Sequence, residues 1–344
     1  MAILEGADPF RVDPELDYLS EPDRETPLWS ETMFFQGWDP VQGVGFWSHI
    51  GRWPFDVDLW WSQMFVYLPG GQVVVDRSFG RATDRIGPAT GNYRIRCEEP
   101  GKRWTHHYDG AGELTTSAKT ARGLSGAGRI ATLGMDLEMV GIMPTWDLYK
   151  LVSAEGQSWS SGHRQQAMHM TGEVRVDDRR WNLDCMAYRD HSTGSRDWAG
   201  WGGNVMLSLV FPSGRVVVAV VTWASDHTPG FQVGLIYENN RFEKLRAVEL
   251  PVLRGLDASP HTFDAVLHRD EGESIVIPGE VQHSATLSFV EPNENLNGVD
   301  LDDPSDPLAL FETPVRFTWH DGEVGYGNVE RNYRVSDIPG ARGW

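Results

Sequence analysis

The chain has 344 residues, with 30 Lys and Arg against 49 Asp and Glu, a formal net charge of −19. Such a field opposes polyanions, so nucleic acid and anionic membrane surfaces are not expected partners, and at roughly 150 residues per domain the length allows about two domains. Hydrophobic content of 40% and charged content of 23% suit a folded chain that buries a core without covalent staples.

Only Cys97 and Cys185 are present, too few for a disulfide framework or a thiolate zinc site, which fits a reducing compartment. The first residues have neither a basic region nor an apolar one. The most apolar run, Val216 to Ala224, falls far below the ~18 residues a membrane span needs. A cytoplasmic protein without an integral membrane segment is expected.

In chain order, Trp38, Trp53, Trp60 and Trp61 read as core aromatics. Pro69-Gly70-Gly71 is a turn signal. His106 and His107 are adjacent, so on a strand they face opposite sides and cannot share one metal. Gly123 to Gly128 is a glycine-rich loop, and Thr145 to Ala154 is the best short helix candidate. The Gly/Ser-rich stretch Gly156 to Gly162 precedes a strand at Glu173 to Asp177. It places a domain boundary near residue 160, giving domains 1–160 and 161–344.

Pro212-Ser213-Gly214 leads into the β-branched run from Val216. Val281, Ala285, Leu287 and Phe289 share one parity, a half-buried strand with His283 on its inward side, and Val315, Phe317 and Trp319 repeat the pattern. The acidic stretch Glu291 to Asp306 lacks the EF-hand spacing and reads as a solvated loop. Period two dominates and helical periodicity is scarce, so the expected class is all-β, built of antiparallel sheets or barrels.

No metal-ligand spacing, nucleotide loop or serine-nucleophile elbow occurs, so no metal or cofactor is expected. The densest chemistry lies in Tyr188-Arg189-Asp190-His191-Ser192-Thr193-Gly194-Ser195-Arg196-Asp197-Trp198. On a regular strand Tyr188 and Asp190 share one face and Arg189 and His191 the other. A bulge at Ser192 to Gly194 would turn His191 back toward Asp190. Burial beside Tyr and Trp raises a carboxyl pKa and suits a proton donor, whereas a direct Arg contact lowers it. In the structural alternative Arg189, Asp190, Arg196 and Asp197 hold a charged bend, and His283 is a core histidine bonded to backbone.

This block resembles the Asp-His-x-x-Gly segment of the tandem lipocalin-like superfamily that includes carotenoid 1,2-hydratases, kievitone hydratase and AttH-like proteins. His163 to Asp177, Trp29-Ser30-Glu31 and Gly45-Phe46-Trp47 are similar to it as well. The resemblance implies two consecutive lipocalin-like β-barrels, with Tyr188 and Asp190 in the active site and Asp190 protonating an isoprenoid double bond. The family's upstream His-x-Trp pair is replaced by His169-Met170-Thr171, with Trp159 or Trp181 as substitutes.

The expected function is a cofactor-independent hydratase or dehydratase acting on an alkene of a hydrophobic terpenoid or prenylated substrate. Asp190, Tyr188 and His191 are its catalytic candidates, His169, Trp198, His283 and Trp159 contact substrate, and Arg196 and Asp197 support the loop. The alternatives are a cyclase or pericyclase on the same scaffold, and a lipophile carrier without chemistry.

Overall fold

The computed structural model describes residues 8–123, 126–152, 160–198, 200–250, 255–290 and 294–338. Eleven strands make the first sheet: β1 (Trp29–Asp39), β2 (Val44–Trp53), β3 (Asp56–Leu68), β4 (Gln72–Ala82), β5 (Pro88–Thr90), β6 (Tyr93–Glu99), β7 (Arg103–Thr116), β8 (Arg129–Gly141), β9 (Trp146–Asp147), β10 (Gly162–Val176) and β11 (Arg179–Ser195). Neighbours in sequence pair antiparallel around the sheet except at β9, where β8 pairs with β10, and β11 pairs with both β1 and β10, which closes it into a barrel.

A second closed antiparallel barrel follows from β12 (Trp201–Val210), β13 (Val216–Ala224), β14 (Pro229–Glu238), β15 (Arg241–Glu249), β16 (Thr262–Arg269), β17 (Ile275–Val281), β18 (Ala285–Val290), β19 (Glu294–Asn297), β20 (Leu308–Thr318) and β21 (Val324–Arg334). Its closure is the β17 to β20 pairing, with Val281 opposite Val315. Closure leaves these sheets few free edges, which is how an all-β chain avoids edge-to-edge association.

The alternating patterns read as expected at β13 and β20, where Val315 and Phe317 are fully buried. Gly70 and Gly71 take φ of +76° and +70° in the three-residue loop between β3 and β4, a conformation glycine adopts without a Cβ penalty. The strand expected through Val281 to Phe289 is instead two, β17 and β18, with His283 in the connection between them. Thr145 to Ala154 is not a helix. Trp146–Asp147 adds to β10 and Leu148–Lys150 makes one 3-10 turn, started by the Asp147 carboxylate accepting from the Tyr149 N–H; residues 153 and 154 lie outside the described ones.

The chain separates into two compact units, and the break falls later than residue 160. The first comprises residues 1–115, 126–198 and 290–295; the second comprises 116–125, 199–289 and 296–344. Residues 161–198, expected in the second domain, belong to the first because β10 and β11 complete its barrel. The acidic stretch is likewise not wholly solvated, since Asn295 is buried and Glu294 ion-pairs with Arg77 in the first unit.

Parity sorts the first barrel into two faces. Met33, Phe35, Ile50, Trp60, Met64, Met168 and Ala187 point into its core. Phe34, Trp47, Trp61, Phe65, Gln165, Tyr188 and Asp190 alternate with them and take the outer face. The second barrel has its own core, which includes Val205, Leu207, Phe311, Phe317 and Tyr333.

Candidate active site

Antiparallel register lines the outer face of the first barrel in three successive rungs. The first is His163, Ser192, Thr32, Gly51 and Trp61; the second is Gln165, Asp190, Phe34, His49 and Gln63; the third is Ala167, Tyr188, Gln36, Trp47 and Phe65. Residues directly opposite on neighbouring strands share a face and lie about 4.5–5.5 Å apart. Side chains 130 residues apart in sequence are thereby held within contact distance on rigid strands.

Asp190 is at the centre. Its Oδ2 lies 3.9 Å from His163 Nε2, and the two side chains keep 11% and 10% of their accessibility, so both are nearly buried. Arg196, just past β11, is buried and donates to Thr32 Oγ1 and Ser192 Oγ at 3.0 Å each. Those two hydroxyls bond each other at 2.8 Å. Burial pulls the Arg196 pKa down to about 10, while Tyr149, Asp190 and Glu31 act to raise it.

Two neutral imidazoles flank this charge. Burial pulls His163 down to about 3, assisted by Arg196, Arg164 and His49. Burial and Arg196 bring His49 to about 3 against an opposing hydrogen bond to Asn295. At neutral pH each ring therefore has one nitrogen free of a proton, an acceptor by chemistry. Burial also raises the Tyr149 hydroxyl, which bonds Ser160 and feels Arg196.

Buried aromatic rings pack on the outer face beside Asp190. Phe34 meets Trp47 edge-on at 6.0 Å, Trp47 stacks on Phe65 at 4.8 Å, and His49 stands perpendicular to Trp61 at 5.0 Å. Gly51 makes room for the last pair: a Cβ there would lie 2.7 Å from Thr32 Cγ2 and 2.8 Å from Trp61 Cζ2.

Tyr188 shares this face, about 7 Å along the strand from Asp190. Its hydroxyl donates to Gln165 Oε1 at 2.8 Å and accepts from Trp146 Nε1 at 3.1 Å. Burial pushes its pKa well up, so it remains a neutral, doubly bonded phenol. Gly194 in the same motif takes φ of +134°, and a Cβ would fall 2.5 Å from Ser161 N, where β10 begins.

His191 is elsewhere. β11 stays in register with β1 from Ala187 to Ser195 without a bulge, so His191 points into the barrel, 2.8 Å from Glu31 Oε1. Glu31 also accepts from Arg52 Nε at 2.9 Å and from the Ser20 N–H. Burial alone would raise Glu31, but the His191 hydrogen bond and charge, with Arg52, hold it below the usual range. One rung away, Arg189 binds Asp17 Oδ2 and Gln166 Oε1, each at 2.7 Å.

His169 and Trp181 separate from Asp190 along the strands. His169 is half-exposed, 2.7 Å from Asp184, and its rung partner Met186 lies about 14 Å along β11 from Asp190. Trp198 is half-buried beyond the strand, Asp197 is exposed, and Trp181 packs on the core at the far end of β11. Trp159 lies outside the described residues. His283 belongs to the second unit, where its Nδ1 accepts from the Ser284 N–H at 2.9 Å. Reading the sequence missed His163 and His49. Each is an isolated histidine two positions from a residue of the outer face, Gln165 and Trp47, a parity signal that identifies the face but not the rung.

No group of three or more His, Cys, Asp or Glu is placed to hold a metal ion among the described residues, and none of their helices is long and apolar enough to cross a membrane. No curated protein matches the sequence. Among solved structures, the fold is similar to an AttH-like protein from Nitrosomonas europaea (TM-score 0.59, 12% identity, covering 92% of this chain and 97% of that one). It is also similar to CghA crystallised with Sch210972 (TM-score 0.52, 9% identity, 90% and 89%) and to kievitone hydratase from Nectria haematococca (TM-score 0.49, 10%, 89% and 88%). The likeness to the first two is one of fold: two consecutive closed antiparallel β-barrels with very few helices. A family model described as "Domain of unknown function (DUF7064)" matches residues 13–334, nearly the whole span of both barrels, and the chain belongs to that family.

Proposed function

We propose that the chain is a cofactor-independent hydro-lyase that adds water to, or removes it from, an alkene of a hydrophobic terpenoid or prenylated substrate. The observation that carries this reading is the pairing of Asp190 with the neutral His163 at 3.9 Å on an aromatic face. Protonated Asp190 delivers its proton to the less substituted alkene carbon, and the π pair becomes the new C–H bond. The cation formed at the other carbon is stabilised by the Phe34 and Trp47 rings. A water accepted by His163 attacks that cation. The resulting oxonium gives its extra proton to the imidazole, which returns it to the Asp190 carboxylate.

The test is incubation of a prenylated alkene with the protein in 18O-labelled water. One labelled oxygen per product is expected, with loss of turnover in Asp190→Asn and largely unchanged substrate binding. A rearranged product without solvent oxygen, formed equally well by Asp190→Asn, identifies a cyclase or pericyclase. Substrate recovered unaltered identifies a carrier.

A further inference from the structure

The second barrel contains a cavity of about 450 Å3 at one mouth, where β12 begins and β13, β15 and β21 end. Its volume falls in the ~300–1,000 Å3 range of small-molecule sites. Val205, Val221 and Val248 form an aliphatic wall, and Val205 and Val248 are also core residues, so the cavity reaches the barrel interior. Trp223, tilted against Tyr333 at 5.2 Å, adds an aromatic part to the lining. Gly202 and Gly203 admit the indole, since Cβ atoms there would lie 2.7 and 2.5 Å from it.

The rim is polar and acidic. Glu249 and Asp337 are faced only by imidazoles in the ion pairs found there, Glu249 by His268 at 2.8 Å and Asp337 by His227 at 3.6 Å. Among the described residues, no Lys or Arg lines the cavity. An apolar body entering this mouth brings its head group against two carboxylates, on a chain whose net charge is −19. A positive head is favoured there and a carboxylate repelled.

We propose that the mouth of the second barrel is a binding site for a hydrophobic amine, separate from the Asp190 site in the first unit. The experiment is calorimetric titration of the full chain with decylamine, decanol and decanoate. One decylamine should bind about tenfold more tightly than decanol, the preference two exposed ion pairs supply, and decanoate should bind least. The surface double variant Glu249→Gln/Asp337→Asn should equalise amine and alcohol. Val221→Phe, folded by circular dichroism, should lose both, and Asp190→Asn should bind as the wild type. Equal binding of amine and alcohol by the wild type, an unchanged preference in the double variant, or undiminished binding by folded Val221→Phe each overturns the proposal.

Discussion

The two faces of strand β11 carry similar residues to different ends. On the inner face, Arg189 and His191 each meet a carboxylate at hydrogen-bond distance, Asp17 and Glu31, and every member is buried. On the outer face, Asp190 stands 3.9 Å from an uncharged imidazole and acts on the buried Arg196. A carboxylate closed into short bonds with a buried arginine, Asp17 with Arg189 and Glu31 with Arg52, is held for structure, because protonating it would break the ion pair. An aspartate set beside a neutral imidazole is the arrangement the proposed proton transfer uses. The two faces thus contrast a closed network with the proposed site.

The largest expected effect is on the inner face. Glu31→Gln leaves Arg52 and His191 in the barrel without their anion and should cost about 3–5 kcal/mol, read as a lower midpoint in urea. Next is acid sensitivity. His49, His106 and His163 sit at about 3 against an ordinary 6.5. The unfolded chain takes up protons near pH 6.5 that the native state refuses until about pH 3, so stability must fall as pH drops through that window. The slope is at most about 1.4 kcal/mol per pH unit for each imidazole. Glu31 and Asp17, depressed by their partners, act in the same direction as pH falls below their unfolded values. A stability curve flat from pH 7 to 5 would show the outer-face imidazoles to be charged and remove His163 as acceptor.

Tyr188→Phe removes the hydroxyl between Trp146 and Gln165 and should cost about 1–3 kcal/mol in thermal stability. Asp190→Asn keeps the shape of the side chain and is expected to cost less stability than Glu31→Gln, with loss of turnover the outcome expected of the proposed acid. If that variant instead melts as badly as Glu31→Gln, Asp190 belongs with the scaffold and the contrast between the faces fails.

Class and parity were legible in the sequence because a half-buried strand writes its two faces as alternation: the split of Tyr188 and Asp190 from Arg189 and His191 follows from period two alone. Rung assignment was not legible. That His49 and His163 join Asp190 depends on the pairing of β1 with β2 and β11, set by turns and barrel closure rather than local pattern. The boundary was misplaced for a related reason. Glycine and serine near residue 160 mark a loop, and nothing local shows that the two longest strands after it return to pair with the first. At Thr145 to Ala154, strand pairing of Trp146 with Gln165 overrode a weak helical signal.

The pairing of β1 with β11 joins Trp29 to Ser195, and it also fixes when the first barrel is able to form. At translation rates of about 5–20 residues per second, roughly 10–30 s separate the appearance of β1 from that of its closing partner. Through that interval the nascent chain holds a strand carrying Trp29, Met33, Phe34 and Phe35 with one edge unsatisfied, the arrangement most prone to pair with another chain. Barrel closure that protects the finished molecule therefore lengthens the exposure of the unfinished one, and ribosome pausing before residue 195 extends it further.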